Sequence, residues 1–142
     1  MASPVRLLLA LAMITVSGAS SAQSLVSLAE LRWSHRVILM DTTDPRLLGQ
    51  LRDNQAAIDD RDLIWIAVDN EEMQSNLGAG ISPALRAELN RDYFGRFDET
   101  VFLIGKDGTL KSRDAKLDLE ALFGRIDAMP MRRREMRESA TP

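Results

Sequence analysis

The stretch Val37-Ile38-Leu39-Met40-Asp41-Thr42-Thr43-Asp44-Pro45 decides how this chain folds. Four consecutive apolar residues without polar alternation describe a strand covered on both faces, the pattern of a central strand in an α/β sheet. Asp44 followed by Pro45 is a helix N-cap and first-turn pair. The carboxylate can accept from an orphan amide, and proline lacks the N–H that the first turn leaves unpaired. Leu47, Leu51 and Ile58 then recur on one side of the helix this pair opens. After the charged run Asp59-Asp60-Arg61-Asp62, Leu63-Ile64-Trp65-Ile66-Ala67-Val68 forms a second apolar strand. Strand, helix and strand together make a βαβ unit with a right-handed crossover.

The remaining elements are read outward from that unit. Upstream, Ser27 with Glu30 three residues later has the form of a capping box and predicts a short helix carrying Leu28 and Leu31. Downstream, residues 69–82 are polar, contain Gly78 and Gly80, and read as a loop. Ser82-Pro83 repeats the cap-and-proline signal, with Leu85, Leu89 and Tyr93 as the buried stripe of a helix. Residues 100–105 and 109–113 read as strands joined at Asp107-Gly108, a type I′ hairpin signal in which both central residues take positive φ. Asp118 caps a last helix along Leu119, Leu122, Phe123 and Ile126, which Pro130 ends at Met129. Residues 132–142 are expected to form a basic, frayed C-terminal tail. The order βαβ, α, β-hairpin, α is that of a single thioredoxin-like α/β domain, here residues 23–131.

Residues 1–22 read as a secretory signal peptide. Arg6 supplies the positive n-region, residues 7–16 an apolar stretch, and Ser20-Ser21-Ala22 the small residues of a cleavage site. The apolar stretch is about half of the roughly 20 residues a spanning helix needs. The expectation is therefore a periplasmic or secreted domain with no transmembrane segment. A formal net charge of −3 argues against nucleic acid as the main partner. The chain contains no cysteine, so disulfide exchange and thiol peroxidase chemistry through its own side chains are excluded. Where a redox thioredoxin has Cys-x-x-Cys after its first strand, this chain has Asp41-Thr42-Thr43-Asp44-Pro45. Where a cis-proline would precede the third strand, it has Phe97-Asp98-Glu99-Thr100.

Three segments carry a family resemblance: Leu31-Arg32-Trp33-Ser34-His35-Arg36-Val37, Phe102-Leu103-Ile104-Gly105-Lys106-Asp107-Gly108, and Ile126-Asp127-Ala128-Met129-Pro130-Met131-Arg132-Arg133-Arg134-Glu135-Met136. Together they resemble an uncharacterised family of small exported bacterial proteins, with related modules in animal extracellular proteins that carry sushi repeats. The resemblance implies a thioredoxin-like, peroxiredoxin-related fold and no particular activity.

Four groups of residues are candidates for chemistry. Thr42, Thr43, Asp44 and Arg46 sit at a strand end and helix start, where backbone amides could hold a small anion or a peptide carboxylate; the same residues also serve as cap and turn. Asp41 and Asp69 follow the ends of adjacent strands and could take Mg²⁺ or Ca²⁺, or could simply solvate their loops. His35 is the only histidine and has no second imidazole with which to build a metal site. Arg132, Arg133 and Arg134 could dock on an anionic membrane surface, a glycan or an acidic envelope protein, or could cap the last helix and pair with Asp127 and Glu135. No cofactor is expected. These features point to a non-catalytic binding module engaging an envelope or extracellular partner. The alternative is a cysteine-free enzyme with a metal- or anion-assisted site at the end of the first strand.

Overall fold

β1 (Arg36–Met40) and β2 (Leu63–Val68) are buried at every position, because an unbroken apolar strand needs cover on both faces. The two run parallel, with Val37 opposite Ile64 and Leu39 opposite Ile66. The computed structural model describes residues 24–142, so the signal expected at 1–22 lies outside the described residues. β4 (Val101–Ile104) lies antiparallel along the other side of β1, and β5 (Leu110–Asp114) antiparallel to β4. With β3 (Met73–Ser75) on the far edge, the sheet order is β3-β2-β1-β4-β5. The chain is thus a mixed α/β domain in the expected order of strand, helix, strand, helix, hairpin, helix.

Side-chain alternation along the strands divides the core in two. Ile38, Met40, Trp65 and Leu103 face α1 (Pro45–Asp53), α2 (Gln55–Asp60) and α4 (Leu119–Asp127), where they meet Leu48, Leu51, Ile58, Leu122 and Ile126. Val37, Leu39, Ile66 and Phe102 face the opposite way, against a 3-10 turn (Leu28–Leu31), α3 (Pro83–Leu89) and a π-helical turn (Asn90–Phe94). A shift of one residue in β1 would exchange these faces, so the register is held by both layers.

Four expectations are corrected. The helix after Asp44 is broken at Asn54, whose Nδ2 donates to Gln50 O at 2.8 Å and so competes for an end carbonyl of α1. The polar segment 69–82 contains β3, extended by Asn76, whose amide accepts from Trp65 N–H at 2.9 Å and donates to Leu63 O at 3.1 Å in the manner of a ladder residue. The hairpin turn has positive φ at Gly108 alone (80°). Gly108 N–H donates to Gly105 O, Gly105 N–H to Thr109 O, and the ladder shifts between Leu103 and Ile104. This is a type I turn followed by a left-handed glycine rather than type I′. Finally, residues of the expected frayed tail form α5 (Pro130–Ala140). Proline holds Met129 in extended backbone (ψ 141°), as expected, but its missing N–H also suits it to open the next helix.

Candidate functional site

The loop after β1 is closed on itself. The Thr43 hydroxyl donates to Asp69 Oδ2, while Asp69 Oδ1 accepts the amides of Glu71 and Glu72, each at 2.7 Å. Arg86 donates to the carbonyl of the same aspartate. Asp44 accepts the Arg46 amide at 2.9 Å as the cap of α1, and its own amide donates to Thr42 Oγ1 at 3.1 Å. The Arg46 amide beside Asp44 and the Thr43 hydroxyl beside Asp69 hold both carboxyls below the usual aspartate range. The structure therefore joins Thr43 to Asp69, and Thr42 and Arg46 to Asp44, in bonds that close the turn and start the helix. The Asp41 carboxylate accepts no hydrogen bond from the described residues, and desolvation pushes it up. Among the described residues no three His, Asp or Glu side chains gather where a metal ion could be held.

The opposite end of β1 is different in kind, and the three segments that carry the family resemblance meet there. Arg36, the first residue of β1, is 1% exposed. Its guanidinium grips Glu135 of α5 with two bonds of 3.1 Å and donates to Arg61 O at 2.9 Å. Lys106, just beyond β4, donates to Glu135 Oε1 at 2.6 Å and to Asp62 Oδ2 at 2.8 Å. Arg132 reaches Asp60 O at 2.7 Å and Asp127 Oδ1 at 3.2 Å, and also bonds the Asp60 carboxylate. Arg61 holds the same Asp127 through Nε at 3.1 Å and Nη2 at 2.8 Å, with its guanidinium 4.4 Å from the centroid of the Phe123 ring. Arg36, Arg61, Lys106 and Arg132 thus face Asp60, Asp62, Asp127 and Glu135 in one network. Sequence reading missed Arg36, Arg61 and Lys106. A visible signal was the charge placed directly beside an apolar strand that has to be buried, since such a charge needs a partner from elsewhere in the chain.

The network makes stability depend on acid. Burial pushes Glu135 up, but the bonds from Arg36 and Lys106 together outweigh it and hold the carboxyl below the usual glutamate range. Burial likewise raises Asp127, and the bonds from Arg61 and Arg132 bring it below the usual value. At the hairpin, Lys111 and then the Thr109 amide lower Asp107 to about 2. Each folded-state value lies below its unfolded one, so this stability is complete above the ordinary carboxylate range and is lost as pH falls through the folded values. The melting temperature is expected to stay level down to about pH 5 and then fall steadily toward about pH 2. A level melting temperature across that lower window in thermal melts would show the ion pairs to be without net effect on folding.

α5 divides the arginine run that the sequence presents as one cluster. A rotation of about 100° per residue places Arg132 and Glu135 against the domain and turns Arg133, Arg134 and Arg137 outward. Arg132 is buried, which removes it from the partner-facing set, because its donors are taken up inside the protein. Arg133, Arg134 and Arg137 are exposed, and none has an acidic partner among the described residues. Of the methionines nearby, Met129 packs against the core face beneath α4.

Fold and site together define a mixed α/β domain closed at one end by a buried ion network, with a basic outer helix. The chain belongs to the family described as Domain of unknown function (DUF4174), which matches residues 27–135. The match runs from the serine that caps the first turn to the glutamate that joins Arg36 to Lys106. No curated protein and no solved structure matches the chain.

Proposed function

We propose that this domain is a non-catalytic binding module that docks on an anionic surface of the envelope or extracellular space through the outer face of α5. The observation that carries this reading is the split arginine run: Arg132 is consumed internally, while Arg133, Arg134 and Arg137 stand exposed without acidic partners among the described residues, in a chain of net charge −3. An unneutralised cluster on an acidic protein supports a role outside folding, since exposed guanidinium groups present planar donor forks to phosphate or carboxylate. The secretory reading of residues 1–22 supports the location. The strand and helix order is compatible with a thioredoxin-like scaffold in which Asp41 to Pro45 occupy the place of the thiols.

Each arginine near an anionic membrane surface contributes about 1 kcal/mol, so three contribute about 3 kcal/mol, or roughly 100-fold in affinity. Binding of the full chain to vesicles rich in anionic lipid is expected to fall by that factor when Arg133, Arg134 and Arg137 are all replaced by Gln. Zwitterionic vesicles should retain neither protein. Equal retention of the variant and the unaltered chain on anionic vesicles would remove α5 as the docking face.

A further inference from the structure

A cavity of about 150 Å³ lies on the face of the sheet away from α1, between the 3-10 turn, α3 and the hairpin. Arg32, His35, Glu88 and Tyr93 line it, together with an apolar wall that includes Leu28, Leu31 and Val37. The polar groups are incompletely engaged. Arg32 has no acidic partner among the described residues. Its guanidinium lies against Gly108, where an added Cβ would come within 2.6 Å of Nε. Ser34 Oγ donates to Leu31 O at 3.0 Å, so its lone pair receives the hydrogen on His35 Nδ1, also at 3.0 Å. That leaves Nε2 as the free nitrogen of the ring. Among the described residues Glu88 accepts only one long bond, 3.3 Å from Leu28 N–H to Oε2, and none at Oε1. Burial, then the charges of Asp92 and Glu88, push the Tyr93 hydroxyl up, so it remains a neutral donor.

Two backbone irregularities build these walls. Trp33, between Arg32 and His35, takes φ 69° and donates its amide to Lys106 O at 2.6 Å, with its side chain 65% exposed. A non-glycine residue in this region is held there against its own preference by the surrounding structure, a kind of strain that gathers at ligand sites. Tyr93 belongs to the π-helical turn, which closes with Gly95 N–H donating to Asn90 O at 2.6 Å. Such turns are frequent at functional sites. A cation, an imidazole, a carboxylate and a phenol are thus set around one small cavity, the first two flanking the left-handed Trp33 and the phenol on the π-helical turn.

We propose that this cavity binds a small α-amino acid as its zwitterion beside His35, carboxylate toward Arg32, ammonium toward Glu88, and side chain against Leu28, Leu31 and Val37. A simple carboxylate would leave Glu88 facing a like charge, and a simple amine would do the same for Arg32. Only a ligand with both charges satisfies the two walls together. The volume lies below the roughly 300–1,000 Å³ of sites for drug-sized ligands, which limits the side chain to a few atoms.

His35 is the only histidine, so its ring resonances report on the cavity without ambiguity. Titrating the full chain with L-alanine is expected to shift those resonances saturably. Acetate and ethylamine, each carrying half of the recognised charge, should bind at least about 10-fold more weakly. Arg32→Gln and Glu88→Gln should each weaken alanine binding roughly 10- to 100-fold, while replacing Arg133, Arg134 and Arg137 leaves it unchanged. No saturable shift with alanine, acetate as strong a ligand as alanine, or alanine binding indifferent to both substitutions would overturn the proposal. The comparison of the three ligands needs no variant, so a folding defect in either substitution leaves the test intact.

Discussion

Glu135→Ala is expected to lower the stability of the folded chain by about 3–5 kcal/mol, the range for removing one partner from a buried ion pair. Arg36 and Lys106 are 1% and 8% exposed and share this one carboxylate, with Glu135 contacts of 3.1 Å and 2.6 Å. Without it Arg36 keeps only the Arg61 carbonyl, and Lys106 keeps only Asp62. Arg36 is the more deeply buried of the two, and Lys106 keeps a half-exposed partner in Asp62. The cost therefore comes from stranded charge more than from the lost attraction, and that distinction can be measured. Replacing Arg36 by Met and Glu135 by Leu together should be less harmful than Glu135→Ala alone, because the most deeply buried charge is then removed and only Lys106, which keeps Asp62, loses a partner. Denaturant unfolding reads both quantities. A loss below about 1 kcal/mol for Glu135→Ala would mean that α5 is held by something other than this network.

What the sequence shows of this architecture is what is encoded locally. The uniform apolar runs in β1 and β2 announce strands buried on both faces, and both are buried throughout. Ser27, Asp44, Ser82 and Asp118 each precede a helical segment, and each side chain accepts a first-turn amide as expected. Capping is a matter of two or three residues, so spacing alone carries it. β3 is three half-buried residues defined by their pairing with β2, and a strand that exists only through its neighbour leaves almost no periodic trace.

The site was legible in its parts and not in its assembly. Arg132, Arg133 and Arg134 stand out as a run, but which of them faces the interior follows from α5, and α5 follows from a proline that ends one helix and opens another. Arg36, Lys106 and Glu135 lie in three separate segments, and a linear reading has no means of bringing the two cations within 3.1 Å of the Glu135 carboxylate. The cavity residues repeat the pattern. His35 looks isolated in sequence because the residues that share its cavity, Glu88 and Tyr93, come from α3 and the π-helical turn that follows.

Phe102→Ala carries the second large effect, expected at about 3–5 kcal/mol as for other buried aromatic truncations. Phe102 is fully buried in β4, opposite Leu39 of β1. Its ring has Tyr93 and Phe94 each 5.7 Å away by centroid and Phe97 at 6.0 Å, so one side chain anchors the π-helical turn and the segment leading to β4. Truncation removes the apolar burial and leaves a void whose walls are themselves aromatic. Tyr93 loses the ring that fixes it beside Glu88, and alanine-induced shifts at His35 should weaken along with stability. Phe102→Leu keeps most of the volume and should cost much less, about 1.5 kcal/mol or below. Unfolding in guanidinium and the His35 titration, run on both variants, separate the two consequences. If Phe102→Ala costs less than about 1 kcal/mol, the aromatic wall has collapsed into the void, and the Tyr93 ring resonances should move accordingly. If stability falls as expected while the alanine response at His35 is unchanged, Tyr93 is not held in place by Phe102.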